Sequence, residues 1–129
     1  MINRTGIPFR KRVALDLFAA KRAVDARIHE LCYLFWECTL RCNLNCLHCG
    51  SDCQKSAPVP DMPKEDFLRV LDEISGSGKY NPNKVMLALT GGEPLLRPDL
   101  EDCGREFLRR GYPWGMVTNG FALTEDRLK

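Results

Sequence analysis

Apolar residues return at two different periods along this chain. In the first thirty positions Phe9, Val13, Leu17, Ala20, Val24 and Ile28 recur at steps of three and four, which predicts an amphipathic helix. The expected role of such a helix is to pack on the main body with its basic face in solvent; basic amphipathic helices that lie on membranes are far rarer. Leu31 to Glu37 is a short run of aromatic and apolar residues, the pattern of a buried strand. A cysteine-rich stretch, Cys38 to Cys53, follows, and Pro58, Pro60 and Pro63 interrupt regular structure after it. Pro63 suits the first turn of a helix. Phe67, Val70, Leu71 and Ile74 then supply an apolar face, with Gly76 and Gly78 as stops.

Val85 to Thr90 predicts a second strand, broken by Gly91-Gly92-Glu93-Pro94. A helix over Asp99 to Arg110 would bury Leu100, Cys103 and Phe107 and stop at Gly111. Trp114 to Thr118 reads as a third strand, closed by Asn119-Gly120, and Thr124 as the N-cap of a further helix. Trp36 and Trp114 are expected in the core, and the lone His29 is expected to be structural. Strands alternating with amphipathic helices imply an α/β fold with a parallel sheet and right-handed crossovers. Residues 1–30 form a helical extension in this reading, and 31–129 the main unit. Three parallel strands leave exposed edges, and the last helix has only its first turn. The expectation is therefore the N-terminal part of a longer fold.

Composition narrows the function classes. The 129 residues carry 19 basic and 17 acidic side chains, a formal charge of +2, which argues against a strongly basic nucleic-acid binder and an acidic tail. The first thirty residues hold seven of the basic groups and three of the acidic ones. The longest apolar run, Leu31 to Trp36, is six residues, against about 20 for a membrane helix. No apolar segment with a small-residue cleavage site opens the chain, so no secretory signal is read. Seven cysteines are present, six of them between Cys32 and Cys53. An odd count at tight spacing, without an export signal, favours metal or redox chemistry over a disulfide framework. A cytoplasmic location with reduced thiols is expected.

Cys42, Cys46 and Cys49 have the spacing Cys-x3-Cys-x2-Cys. Three thiolates so close can grip three corners of one iron–sulfur cube, and the intervening Asn43 and Asn45 favour an irregular loop. A cube held at three corners keeps one iron open, as catalytic metal sites do. Two other readings compete. On a helix, Cys38, Cys42, Cys46, Cys49 and Cys53 would share a face and could be a buried stripe, but Arg41, Asn43, Asn45 and His48 surround them. Cys46-x2-Cys49 could be half of a zinc site completed by Cys38, Cys53 or His48, although zinc ribbons place a second pair roughly 15–20 residues away. The cysteine loop follows the first strand, and Gly-Gly-Glu-Pro follows the second. Sites of parallel α/β folds form where loops leave the C-terminal strand ends, so the two features should lie side by side. Gly91 and Gly92 allow close backbone approach to a ligand, and Glu93 offers a carboxylate to an ammonium group. Cys38, Cys53 and Cys103 are expected to be buried small residues. Thr118-Asn119-Gly120 either lines the pocket or merely turns the chain.

With Cys42, Cys46 and Cys49 followed by Gly91-Gly92-Glu93-Pro94 in this order, the sequence resembles the radical S-adenosylmethionine (SAM) family over roughly residues 31–129. The resemblance implies the N-terminal portion of a partial (β/α) barrel. It implies a [4Fe-4S] cluster on the three cysteines whose open iron is chelated by the amino and carboxylate groups of SAM, with Gly91, Gly92, Glu93 and Pro94 binding the cofactor. It further implies reductive cleavage of SAM to a 5′-deoxyadenosyl radical that takes hydrogen from a substrate, with a low-potential electron donor such as flavodoxin or ferredoxin as partner. The residue before the third cysteine is commonly aromatic in the family; His48 here resembles the SPASM branch, which matures peptides or protein side chains. No nucleic-acid or membrane partner is expected, and this length of chain is expected to bind a cluster without supporting coupled turnover. A non-catalytic zinc module and a chain that folds poorly are the competing functional readings.

Overall fold

The computed structural model of the protein describes residues 6–28, 30–57 and 59–127. The expectations for His29 and Pro58 lie outside the described residues. The chain divides into two compact units, 1–30 and 31–129. The first holds one helix, α1 (Phe9–Ile28), with a Lys21–Asp25 ion pair one turn apart at 2.6 Å.

The second unit runs β1 (Tyr33–Thr39), α2 (Lys64–Gly76), β2 (Met86–Gly91), α3 (Leu100–Arg109) and β3 (Trp114–Met116). The strands form one parallel sheet in chain order β1-β2-β3, with Tyr33 opposite Met86 and Leu87 opposite Trp114. Trp36 and Cys38 of β1 and Leu87 and Leu89 of β2 pack with Phe67, Leu68 and Leu71 of α2 and Leu100, Cys103 and Phe107 of α3 in one core. Both helices therefore cover the same face of the sheet. Sequential strand order with helices on one side is the winding of a (β/α) barrel, here an arc of one, rather than of a doubly wound sheet.

Aromatic rings fill the centre of that core. Trp36 stacks on Phe67 at 4.2 Å between centroids, and Phe107 meets both rings edge-on. Tyr112 is fully buried, and its hydroxyl donates to the Leu71 carbonyl at 3.0 Å and lies 2.8 Å from the Ser75 hydroxyl. The opposite face of the sheet carries Tyr33 and Phe35, both well exposed, as is Val117 just past β3. The described residues contain no helix long and apolar enough to cross a membrane.

Four details differ from the sequence reading. The first strand sits two residues later: Cys38 and Thr39 are buried, and Thr39 pairs with Gly91 of β2 past an irregularity at Cys38, although neither residue reads as strongly apolar. Val70 is exposed, and Leu68 takes its place on the buried face of α2. The third strand stops at Met116, two residues early. After Thr124 the described chain forms a 3-10 turn, Glu125–Arg127.

Candidate metal and cofactor site

The C-terminal end of β1 runs directly into the cysteine loop. That loop is pinched at its base: Cys42 N–H donates to the Gln54 carbonyl at 2.8 Å, and Gln54 N–H to the Leu40 carbonyl at 3.3 Å. Between these ends the backbone is irregular, with Asp52 at φ 47. Asn and Asp tolerate this left-handed conformation better than most residues. Cys42 is half-buried, while Cys46 and Cys49 are exposed.

Backbone N–H groups point at the sulfurs. Leu44 N–H lies 3.4 Å from Cys42 Sγ and Cys53 N–H 3.5 Å from Cys49 Sγ. Backbone hydrogen bonds from Cys53 and Ser51 hold the Cys49 thiol below its ordinary value, which favours the thiolate that binds metals. Cys53 is of the opposite kind. It is buried, its thiol is pushed up to about 11 by burial and then by neighbouring Cys49, and its S–H faces the Ser51 carbonyl at 3.6 Å. Cys38 is fully buried, pushed up to about 12 by burial, and donates to the Thr90 carbonyl at 3.5 Å. Cys103 is fully buried on α3. Among the described residues, no three His, Cys, Asp or Glu side chains converge to hold a single metal ion.

The turn after β2 lies against the root of this loop. Gly92 N–H donates to the Thr39 carbonyl at 2.7 Å and Glu93 N–H to the Arg41 carbonyl at 2.9 Å. Gly91 adopts φ +118, and a Cβ there would stand 2.1 Å from the Thr39 oxygen. A Cβ on Gly92 would stand 2.1 Å from the Arg41 oxygen and 3.2 Å from Cys42 Cβ. The two glycines thus let the turn approach the backbone that carries Cys42. The side-by-side placement expected from the strand ends is present.

Glu93 is fully buried. The carboxylate that the sequence offers to an ammonium group is engaged within the chain: it accepts from Leu95 N–H at 3.0 Å, Thr118 hydroxyl at 2.7 Å and Asn119 N–H at 2.7 Å. Pro94 opens the 3-10 turn Pro94–Leu96 behind it. His48 is exposed at the outer part of the loop.

Two arginines that sequence reasoning missed brace the site. Arg97 is buried; its guanidinium donates to the Cys38 and Met62 carbonyls, pairs with Asp99 at 2.8 Å and lies 4.8 Å from the Trp36 ring centre. Arg41 pairs with Asp61. Burial pushes the Asp61 carboxyl up, but hydrogen bonds from Arg41 and Thr39 outweigh it and hold that carboxyl below the ordinary range. The only local signals were two arginines beside otherwise special segments, which do not reveal partners 20 or more positions away.

The profile of the Radical SAM superfamily matches residues 36–129. The chain belongs to the radical SAM superfamily. Radical SAM relatives include the AdoMet-dependent heme synthase of Methanosarcina barkeri, 36% identical over 91 residues, covering 70% of this chain and 25% of that protein. A second is the tungsten-containing aldehyde ferredoxin oxidoreductase cofactor-modifying protein of Pyrococcus furiosus, 38% identical over 98 residues, covering 75% of this chain and 26% of that protein. The chain thus spans about a quarter of the length of these curated relatives. No solved structure matches it significantly.

The donor set fits the group this family uses. Cys42, Cys46 and Cys49 would hold three corners of a cubane, and N–H groups directed at two of the sulfurs are the usual protein support for such clusters.

Proposed function

We propose that Cys42, Cys46 and Cys49 hold one [4Fe-4S] cluster and that SAM binds beside it against the turn Gly91-Gly92-Glu93-Pro94. The observation that carries this reading is the pair of short backbone hydrogen bonds, Gly92 to Thr39 and Glu93 to Arg41, that seats the turn next to Cys42. When bound, the cluster supplies one low-potential electron that cleaves SAM to methionine and a 5′-deoxyadenosyl radical. The protein's own contribution is positional. The N–H groups of Leu44 and Cys53 stabilise sulfur charge on Cys42 and Cys49. Glu93 anchors the turn through Thr118 and Asn119 and so keeps Gly91 and Gly92 in place. The buried, protonated Cys53 and Cys38 stay out of the ligand set.

The electron would come from a flavodoxin- or ferredoxin-type donor, and the oxygen-labile thiol site suits a reducing cytoplasm. For the substrate, His48 before the third cysteine supports a peptide or protein side chain, as in the SPASM branch. The relatives, a heme synthase and a cofactor-modifying protein, favour a cofactor substrate instead. The site itself is tested with SAM alone. SAM added to the reduced, reconstituted chain should change the electron paramagnetic resonance (EPR) spectrum of the cluster. Gly92→Val, which fills the approach to Cys42, should abolish that change. An unaltered wild-type spectrum at saturating SAM would overturn the cofactor assignment.

A further inference from the structure

Asn119 is exposed beyond the end of β3, and its backbone N–H and its amide nitrogen are directed at different parts of the site. Its backbone N–H donates to Glu93 Oε2 at 2.7 Å. Its side-chain oxygen accepts from Phe121 N–H at 2.9 Å, which fixes the orientation of the amide. The amide nitrogen is thereby turned toward the cysteine loop, 2.9 Å from Asn43 Oδ1 and 3.9 Å from Cys42 Sγ. Asn119 is the residue through which the end of β3 touches both the loop of the three cysteines and the carboxylate that anchors the turn after β2. Sequence alone left open whether Thr118-Asn119-Gly120 lines the pocket or turns the chain; here the turn is what aims the amide.

We propose that Asn119 is a positioning residue of the cluster site, which fixes the Cys42 limb of the loop through Asn43 and donates an N–H toward the Cys42 sulfur. The proposal rests on the reading that Cys42 is a cluster ligand. A donor near a ligating sulfur stabilises the more negative, reduced cluster and so raises its reduction potential. The Leu44 N–H already serves the same sulfur from within the loop at 3.4 Å. Asn119 adds a side-chain donor to it, from the turn beyond β3.

Two substitutions separate this role from a plain turn role. Asn119→Asp keeps the oxygen that accepts from Phe121 but replaces the amide donor by an anionic oxygen. Asn119→Ala removes both. The backbone N–H to Glu93 survives in each, and the side chain is exposed, so the fold should hold. The measurement is an anaerobic potentiometric titration of the full chain reconstituted with iron and sulfide, followed by EPR. All three proteins should assemble a cluster. The midpoint should move negative in Asn119→Ala and further negative in Asn119→Asp. A wild-type midpoint in both variants would overturn the proposal while leaving the cluster assignment intact. A shift in Asn119→Ala but none in Asn119→Asp would overturn it too, because it would trace the effect to the turn rather than to the donor. A wild-type chain that takes up no cluster would instead overturn the reading beneath it.

Discussion

Glu93 anchors the turn after β2 to the end of β3. Its carboxylate is fully buried and serves three donors contributed by Leu95, Thr118 and Asn119. Removing it leaves donors unsatisfied, at a cost of about 1–3 kcal/mol per buried group. Glu93→Ala should therefore lower unfolding stability by roughly 2–3 kcal/mol in urea denaturation even without cofactor. An unchanged midpoint would show that the carboxylate anchors nothing. The thiols divide by environment in the same way. Cys49, held below its ordinary value, should be alkylated by iodoacetamide at pH 8 well before Cys53, Cys38 or Cys103, which are raised to about 11, 12 and 11 by burial. Mass mapping of the time course checks this. The buried thiols also give a pH dependence. Cys38 ionises near 9.0 when unfolded but near 12 when folded. Its contribution is present below pH 9 and is lost as pH rises from 9 toward 12. Cys38→Ala should flatten the alkaline fall in thermal stability over that window.

At the scale of elements, period and turn chemistry carried most of the information. The alternation of strands with amphipathic segments located three strands and two helices because each element buries one apolar face. The α3 face of Leu100, Cys103 and Phe107 was readable at i, i+3 and i+7 and is buried. On α2 Leu68 and Val70 both flank the Phe67–Leu71 face, and packing buries Leu68 while Val70 stays exposed. The end of β1 was obscured because Thr39 is placed by what pairs with it: its carbonyl receives Gly92 N–H across 53 positions of chain. Contacts of that range, like those of Arg97 to Cys38 and of Asn119 to Cys42, leave no local period to read. The turn after β2 gives the element-scale prediction. Gly91→Ala and Gly92→Ala each place a Cβ about 2.1 Å from a backbone oxygen of the β1 end. Each should cost about 1–3 kcal/mol, the usual range for overpacking. Gly78→Ala, at a position with open space but positive φ, should cost less. Equal losses at Gly91 and Gly78, both at positive φ, would mean that backbone conformation, not the fit against the β1 end, sets the requirement for glycine at Gly91.

As a whole, the second unit is an arc of a barrel with one face sealed by helices and the other carrying exposed Tyr33 and Phe35. Parallel sheets are ordinarily covered on both faces, and in barrels the inner face is lined by side chains from all strands. The site lies at the C-terminal strand ends of this arc, where the loop after β1, the turn after β2 and the turn after β3 meet. Strand order and motif position made that meeting legible in advance; the way it is held, through Glu93 and Asn119, was not. The central claim is that Cys42, Cys46 and Cys49 together hold one cubane. The most direct test is anaerobic reconstitution with iron and sulfide, with metal and sulfide analysis of the wild type, Cys46→Ala and Cys103→Ala. The wild type and Cys103→Ala should each take up about four irons and four sulfides per chain, and Cys46→Ala should retain none as a cluster. A full cluster in Cys46→Ala, or stoichiometric zinc and no iron in the wild type, would contradict it.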